Sequence, residues 1–91
     1  MPSGRRLPET VNPDKLLRQR LARVAGEMRA HGVGYRDAIW RFEGAYVSRV
    51  LEMQHGHLGR VAEQLGMHRN TLTRLMRYLS LDAPDFRGPG D

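Results

Sequence analysis

A chain of 91 residues, 40% hydrophobic and 27% charged, is long enough for one small folded domain and too short for two independent cores. Its formal net charge of +5 points to an anionic partner, nucleic acid ahead of a membrane surface. The lack of cysteine excludes disulfides and thiolate metal sites.

No apolar run approaches the ~20 residues that span a bilayer, and the N-terminus lacks the apolar stretch of a secretion signal. A cytoplasmic, bacterial-style protein with no membrane partner is the expected class. Positive charge is unevenly placed. From His55 to Leu81 four arginines stand against Glu63, a net +3, whereas the segment from Asp82 onward nets −2.

Residues 1–13 contain three prolines, a glycine and the pair Arg5-Arg6, with no periodicity. They are expected to form a disordered tail. Asp14 is expected to cap a first helix running to about Ala30, with Leu17, Leu21, Val24 and Met28 along one face. His31-Gly32-Val33-Gly34 should end it, Gly32 taking the left-handed cap position.

A second helix is expected from about Tyr35 to Gln54. Ile39, Phe42, Tyr46, Val50 and Met53 make its main stripe, and Trp40, Val47 and Leu51 a second apolar face. A helix apolar over most of its girth needs more cover than one small chain supplies. A homodimer is therefore expected, with Ile39, Phe42, Tyr46, Val50 and Leu51 at its interface. The alternative is a monomer that keeps one apolar patch in water. Gly44 costs this helix about 1 kcal/mol relative to alanine. Close helix crossing at a dimer axis explains it, as does a tolerated local weakness. Residues 14–54 thus form a dimerisation unit.

Residues 55–81 read as two short helices joined at Gly66. Val61, Ala62 and Leu65 recur at helical spacing before that glycine, and Leu72, Leu75, Met76 and Leu79 after it. Ala62 is small where one helix crosses the other, Gly66 admits the positive φ of a sharp reversal, and Met67 fills the angle. This is a helix-turn-helix pattern. Arg69, Asn70, Thr73, Arg74 and Arg77 face outward on the second helix and can donate to bases or phosphates.

His57 and His68 each precede a helix and are expected to cap it, near the phosphates of bound DNA that would favour a protonated ring. His55, His57 and His68 have no carboxylate or cysteine at ligand spacing, so no metal is expected. Paired carboxylates, a nucleophile–base set and a phosphate-cradling glycine loop are also missing from the pattern. Neither catalysis nor a cofactor is expected. Residues 82–91, with three aspartates, two prolines and two glycines, should be a disordered acidic tail.

The run from Phe42 to Leu81 resembles the C-terminal half of the Fis-type helix-turn-helix family, which includes a nucleoid protein and the DNA-binding ends of NtrC-type activators. The specific motif is Leu65-Gly66-Met67-His68-Arg69-Asn70-Thr71-Leu72. The resemblance implies an all-α homodimer of about four helices, two forming a dimeric core followed by the helix-turn-helix. It further implies double-stranded DNA as partner, and bending of that DNA.

Carried over by position, Arg69 would contact guanine and Arg74 base edges or the adjoining backbone. Arg60 and Thr71 would hold phosphates, and Arg77 would lie near the backbone. His68 and Thr73 stand where members often carry, respectively, serine or asparagine and a basic residue. Ser80 replaces a helix-ending glycine.

Two functions follow. One is a free-standing DNA-bending regulator or nucleoid-associated protein, with the transcription machinery a further partner; a start at Met1 is what such a protein would show. The other is the dimerising, DNA-docking end of a larger NtrC-type activator. Arg18, Arg20, Arg23 and Arg49 are candidates for contact with flanking DNA.

Overall fold

Pro13 locks φ at a helical value and lacks an N–H that the first turn could not have satisfied, so it suits the first helical position. Helix α1 accordingly spans Pro13–Ala30 in the computed structural model, which describes residues 12–86. Its cap is Asn12, not Asp14. The Asn12 Oδ1 accepts from the backbone N–H of Asp14 at 3.0 Å and of Lys15 at 3.4 Å. Asp14 lies in the first turn, where its charge complements the helix dipole and pairs with Arg18 at 2.9 Å. Residues 1–11, and with them Arg5 and Arg6, lie outside the described part.

The chain is all-α. After α1 come α2 (Tyr35–Met53), α3 (Leu58–Leu65) and α4 (Arg69–Leu79), then a short 3₁₀ turn at Ala83–Phe86. It divides into two compact units, one up to Ala38 and one from Ile39.

Among the described residues the first unit buries nothing. No residue of α1 is buried, and Leu17, Leu21 and Val24 remain roughly half exposed. An 18-residue helix with an unburied apolar stripe is marginal in water, because tertiary packing supplies most helical stability in proteins.

The second unit holds the core. Val47 and Leu51 of α2, Val61 and Ala62 of α3, and Leu72, Met76 and Leu79 of α4 are buried together. Trp40, Val50, Leu58, Leu65, Met67 and Leu75 pack around them, so the helix-turn-helix residues fall inward as their spacing predicts. Leu81, Ala83 and Phe86 also pack on this core. The start of the acidic segment is therefore folded: Phe86 and Leu81 supply apolar surface that the core covers. Residues 87–91 lie outside the described part.

All four helices end on the same device. A residue near the end takes left-handed φ, and a later N–H reaches five residues back: Val33 to Met28, Gly56 to Leu51, Met67 to Ala62 and Leu81 to Met76, each at 2.9–3.0 Å. Glycine fills the left-handed position at Gly32 and Gly66, but His55 and Ser80 hold it at φ 53° and 61°.

A non-glycine residue there brings its Cβ against a carbonyl oxygen, at a cost of about 1–2 kcal/mol. Glycine loses part of that advantage through its greater freedom when unfolded. Ser80→Gly is therefore expected to stabilise the fold by about 1 kcal/mol and raise the melting midpoint by several degrees. Thermal and urea unfolding would check this, and an unchanged or lower midpoint would contradict it.

Gly44 does not mark a close crossing within the chain, since a Cβ built on it would meet nothing within 4 Å. At 3.6 residues per turn it also points roughly 160° away from the middle of the Ile39–Met53 stripe, which removes the dimer-axis explanation.

Candidate nucleic-acid interface

The helix-turn-helix is joined to α2 by a short link whose backbone N–H groups are all bonded. The N–H groups of Gln54, His55, Gly56 and His57 donate in turn to the carbonyls of Val50, Glu52, Leu51 and Gln54. Such a link leaves α3 little freedom to swing.

His57 and His68 cap α3 and α4 as expected. His57 Nδ1 accepts from Arg60 N–H at 3.4 Å, and His68 Nδ1 accepts from Asn70 N–H at 3.0 Å.

Between the helices Gly66 takes φ 69°, and Met67 packs back on the core. Helix α4 then turns Leu72, Met76 and Leu79 inward and leaves Arg69, Asn70, Thr71, Thr73, Arg74 and Arg77 exposed, with His68 and Arg60 exposed nearby in the sequence. Asn70, Arg74 and Arg77, at i, i+4 and i+7, lie along one line opposite the buried face. Arg69 and Thr71 belong to the first turn, at the end of the helix that enters the major groove in helix-turn-helix proteins. No acidic residue lies on α4 beside its three arginines. By contrast, Arg18 pairs with Asp14, and Arg49 with Glu52 at 3.1 Å. Such exposed pairs are worth at most about 1 kcal/mol, too little to keep either arginine from a phosphate.

Thr73 is placed with the others but differs in what it offers. Its Oγ1 donates to Arg69 O at 3.1 Å, which leaves the hydroxyl as an acceptor toward solvent.

The stripe on α2 is where the spacing puts it. Ile39, Phe42, Tyr46 and Met53 are 50–57% exposed, with Val50 half-buried beside them. Phe42 and Tyr46 stack at a tilt with ring centroids 6.1 Å apart. Ile39, Phe42 and Tyr46, together with Glu43, Val47, Leu65, Met67 and Leu75, line an open, mostly apolar groove of about 300 Å³.

Leu51 does not belong to this surface. It is 0% exposed, enclosed by α3 and α4 of its own chain, and cannot meet a partner. Its spacing assigned it to an apolar face correctly, but periodicity does not say which of two apolar faces the chain itself covers.

One hydrogen bond gives no signal in the sequence. Trp40 Nε1 donates to the backbone carbonyl of Tyr78, 38 residues away, at 3.1 Å. Among the described residues no group of three or more histidine, cysteine, aspartate or glutamate side chains is placed to hold a metal, and no helix is long and apolar enough to cross a membrane.

Residues 38–78 match the family model of bacterial regulatory proteins of the Fis family. The match begins within one residue of the boundary between the two units and covers most of α2, all of α3, the turn and α4 up to Tyr78; α1 lies outside it. Neither a curated protein nor a solved structure matches the chain significantly.

Proposed function

We propose, from the match of residues 38–78 to the Fis family of bacterial regulatory proteins, that this part is a DNA-binding helix-turn-helix and that the protein is a homodimer that prefers certain DNA sequences and bends them. It would act on the bacterial nucleoid, as a transcriptional regulator or a nucleoid-associated protein.

The observation that carries this reading is the pairing of two unlike surfaces on the second unit. The second unit exposes both an arginine-rich α4 surface and a half-exposed apolar stripe on α2. The first suits an anionic duplex and the second a copy of the chain. The unburied stripe of α1 adds apolar surface that a dimer would cover, so residues 13–53 serve as its core. On α4, Arg69 would read guanine, and Asn70, Thr73 and Arg74 would approach base edges. Arg60, His68, Thr71 and Arg77 would hold the backbone.

Bending follows if the two α4 helices lie closer together than one turn of straight duplex. The occupied link before α3 supports this, because the reading unit has little freedom to move outward to a straight site. Curving 20–30 base pairs costs on the order of 1–6 kcal/mol, offset by flank contacts for which Arg18, Arg20, Arg23 and Arg49 are candidates. Sites with an A·T-rich, uncontacted centre are expected to bind best, since a compressed minor groove suits them. Mobility of circularly permuted sites on a gel should depend on where the site lies in the fragment. Position-independent mobility would mean that the DNA stays straight.

A further inference from the structure

The last four carbonyls of a helix have no partner inside it. At the end of α4, Met76 O is taken by Leu81 N–H at 2.9 Å and Arg77 O by Ser80 N–H at 3.1 Å, both local closures of the turn. Tyr78 O is instead taken by the Trp40 indole N–H on α2. Trp40 lies on the α2 face that also carries Val47 and Leu51, and it is partly buried against the core. Helix α2 therefore holds α4 in two ways. Val47 and Leu51 hold it through apolar burial, which tolerates small rotations, whereas the Trp40–Tyr78 bond is directional.

We propose that Trp40 is a positioning residue for DNA recognition, its indole N–H fixing the angle of α4 on α2 and so the half-site spacing that the dimer accepts. The proposal rests on the dimeric reading given above. Its scale follows from the length of α4. Arg69 lies about 14 Å along α4 from the tied Tyr78, so a tilt of roughly 13° about that end displaces Arg69 by about 3 Å. One base-pair step is about 3.4 Å. A bond that limits tilt at this level decides between neighbouring spacings while touching no nucleotide itself.

Trp40 is the only tryptophan in the chain, so biosynthetic replacement of tryptophan changes this residue alone. The benzothienyl analogue keeps the shape of the ring and replaces the N–H by sulfur, and Trp40→Phe removes the donor by ordinary mutagenesis. The full-length protein would be titrated on three duplexes carrying its two half-sites at the selected spacing and at one base pair more and one less. The wild type should discriminate among them. Both altered proteins should lose roughly 2- to 10-fold of that discrimination, the scale of one net hydrogen bond, with affinity for random DNA unchanged.

Discrimination equal to wild type in the analogue would overturn the role of the N–H. A uniform loss on every duplex together with a lowered melting midpoint would also overturn it, by showing that the bond only supports the fold. A wild type indifferent to spacing would leave nothing for Trp40 to position and would equally overturn it. Failure of the dimer reading is recognised separately, as a monomeric wild type in sedimentation.

Discussion

Phe42→Glu is expected to turn the protein into a monomer at micromolar concentration while leaving the helix-turn-helix folded. In the single chain Phe42 is 50% exposed and contributes nothing to the buried core, so its loss costs the second unit little. In a twofold dimer it would be buried twice. Half of the side chain is already covered in the single chain, so each copy contributes about half of the 1.5–3 kcal/mol of a fully buried phenylalanine, and the dissociation constant should rise by about 10- to 150-fold, before any penalty for bringing two carboxylates together.

The monomer should also lose α1, which has no buried residue of its own and is marginal alone. Sedimentation would follow the mass, and circular dichroism would follow a loss of helix limited to about the length of α1. Val50 is a poorer probe because it also packs on the core, so a charge there would destabilise interface and fold together. A wild-type monomer, or a Phe42→Glu dimer of unchanged affinity, would exclude this surface as the interface.

The parts of the fold that were legible in the sequence are those fixed by local chemistry. Gly66, Ala62 and the apolar spacing from Val61 to Leu79 define the helix-turn-helix because turn, crossing and burial each restrict the residue type at a given position. The histidine caps were legible for the same reason.

The misassignments arose where two local solutions compete or where tertiary packing decides. Asn12 and Asp14 are both good caps, and Pro13 settles the choice only when placed at the first helical position. Phe86 sits in a segment rich in aspartate, proline and glycine, but a single large apolar side chain near an open core edge is enough to fold the turn before it. Leu51 and Tyr46 carry the same kind of spacing signal, and only the placement of α3 and α4 separates the covered face of α2 from the open one. The Trp40–Tyr78 bond joins a side chain to a backbone carbonyl, and every residue type has that carbonyl, so no pattern could announce it. On α4, spacing placed Arg69, Asn70, Thr73, Arg74 and Arg77 on the exposed part, while the hydrogen bond of Thr73 to the Arg69 carbonyl has no signature in the pattern.

Arg69→Ala and Arg60→Ala are expected to weaken DNA binding in different ways. Arg69 is the first residue of α4, exposed and at the end that enters the groove in this motif, whereas Arg60 lies in the first turn of α3, where a helix-turn-helix crosses the backbone. A guanidinium can give two parallel bonds to guanine O6 and N7, and no other base offers that pair of acceptors in the major groove. Removing it should cost about 1–3 kcal/mol on the selected site, roughly 5- to 150-fold in affinity, and far less on random DNA. Removing Arg60 should lower both affinities by nearly the same factor and reduce the slope of log affinity against log salt by about 1 for each phosphate no longer neutralised. Titrations of both variants on the selected and the random duplex at several salt concentrations would check the contrast. Equal losses on the two duplexes for Arg69→Ala would assign that arginine to the backbone and leave base reading to Asn70 and Arg74.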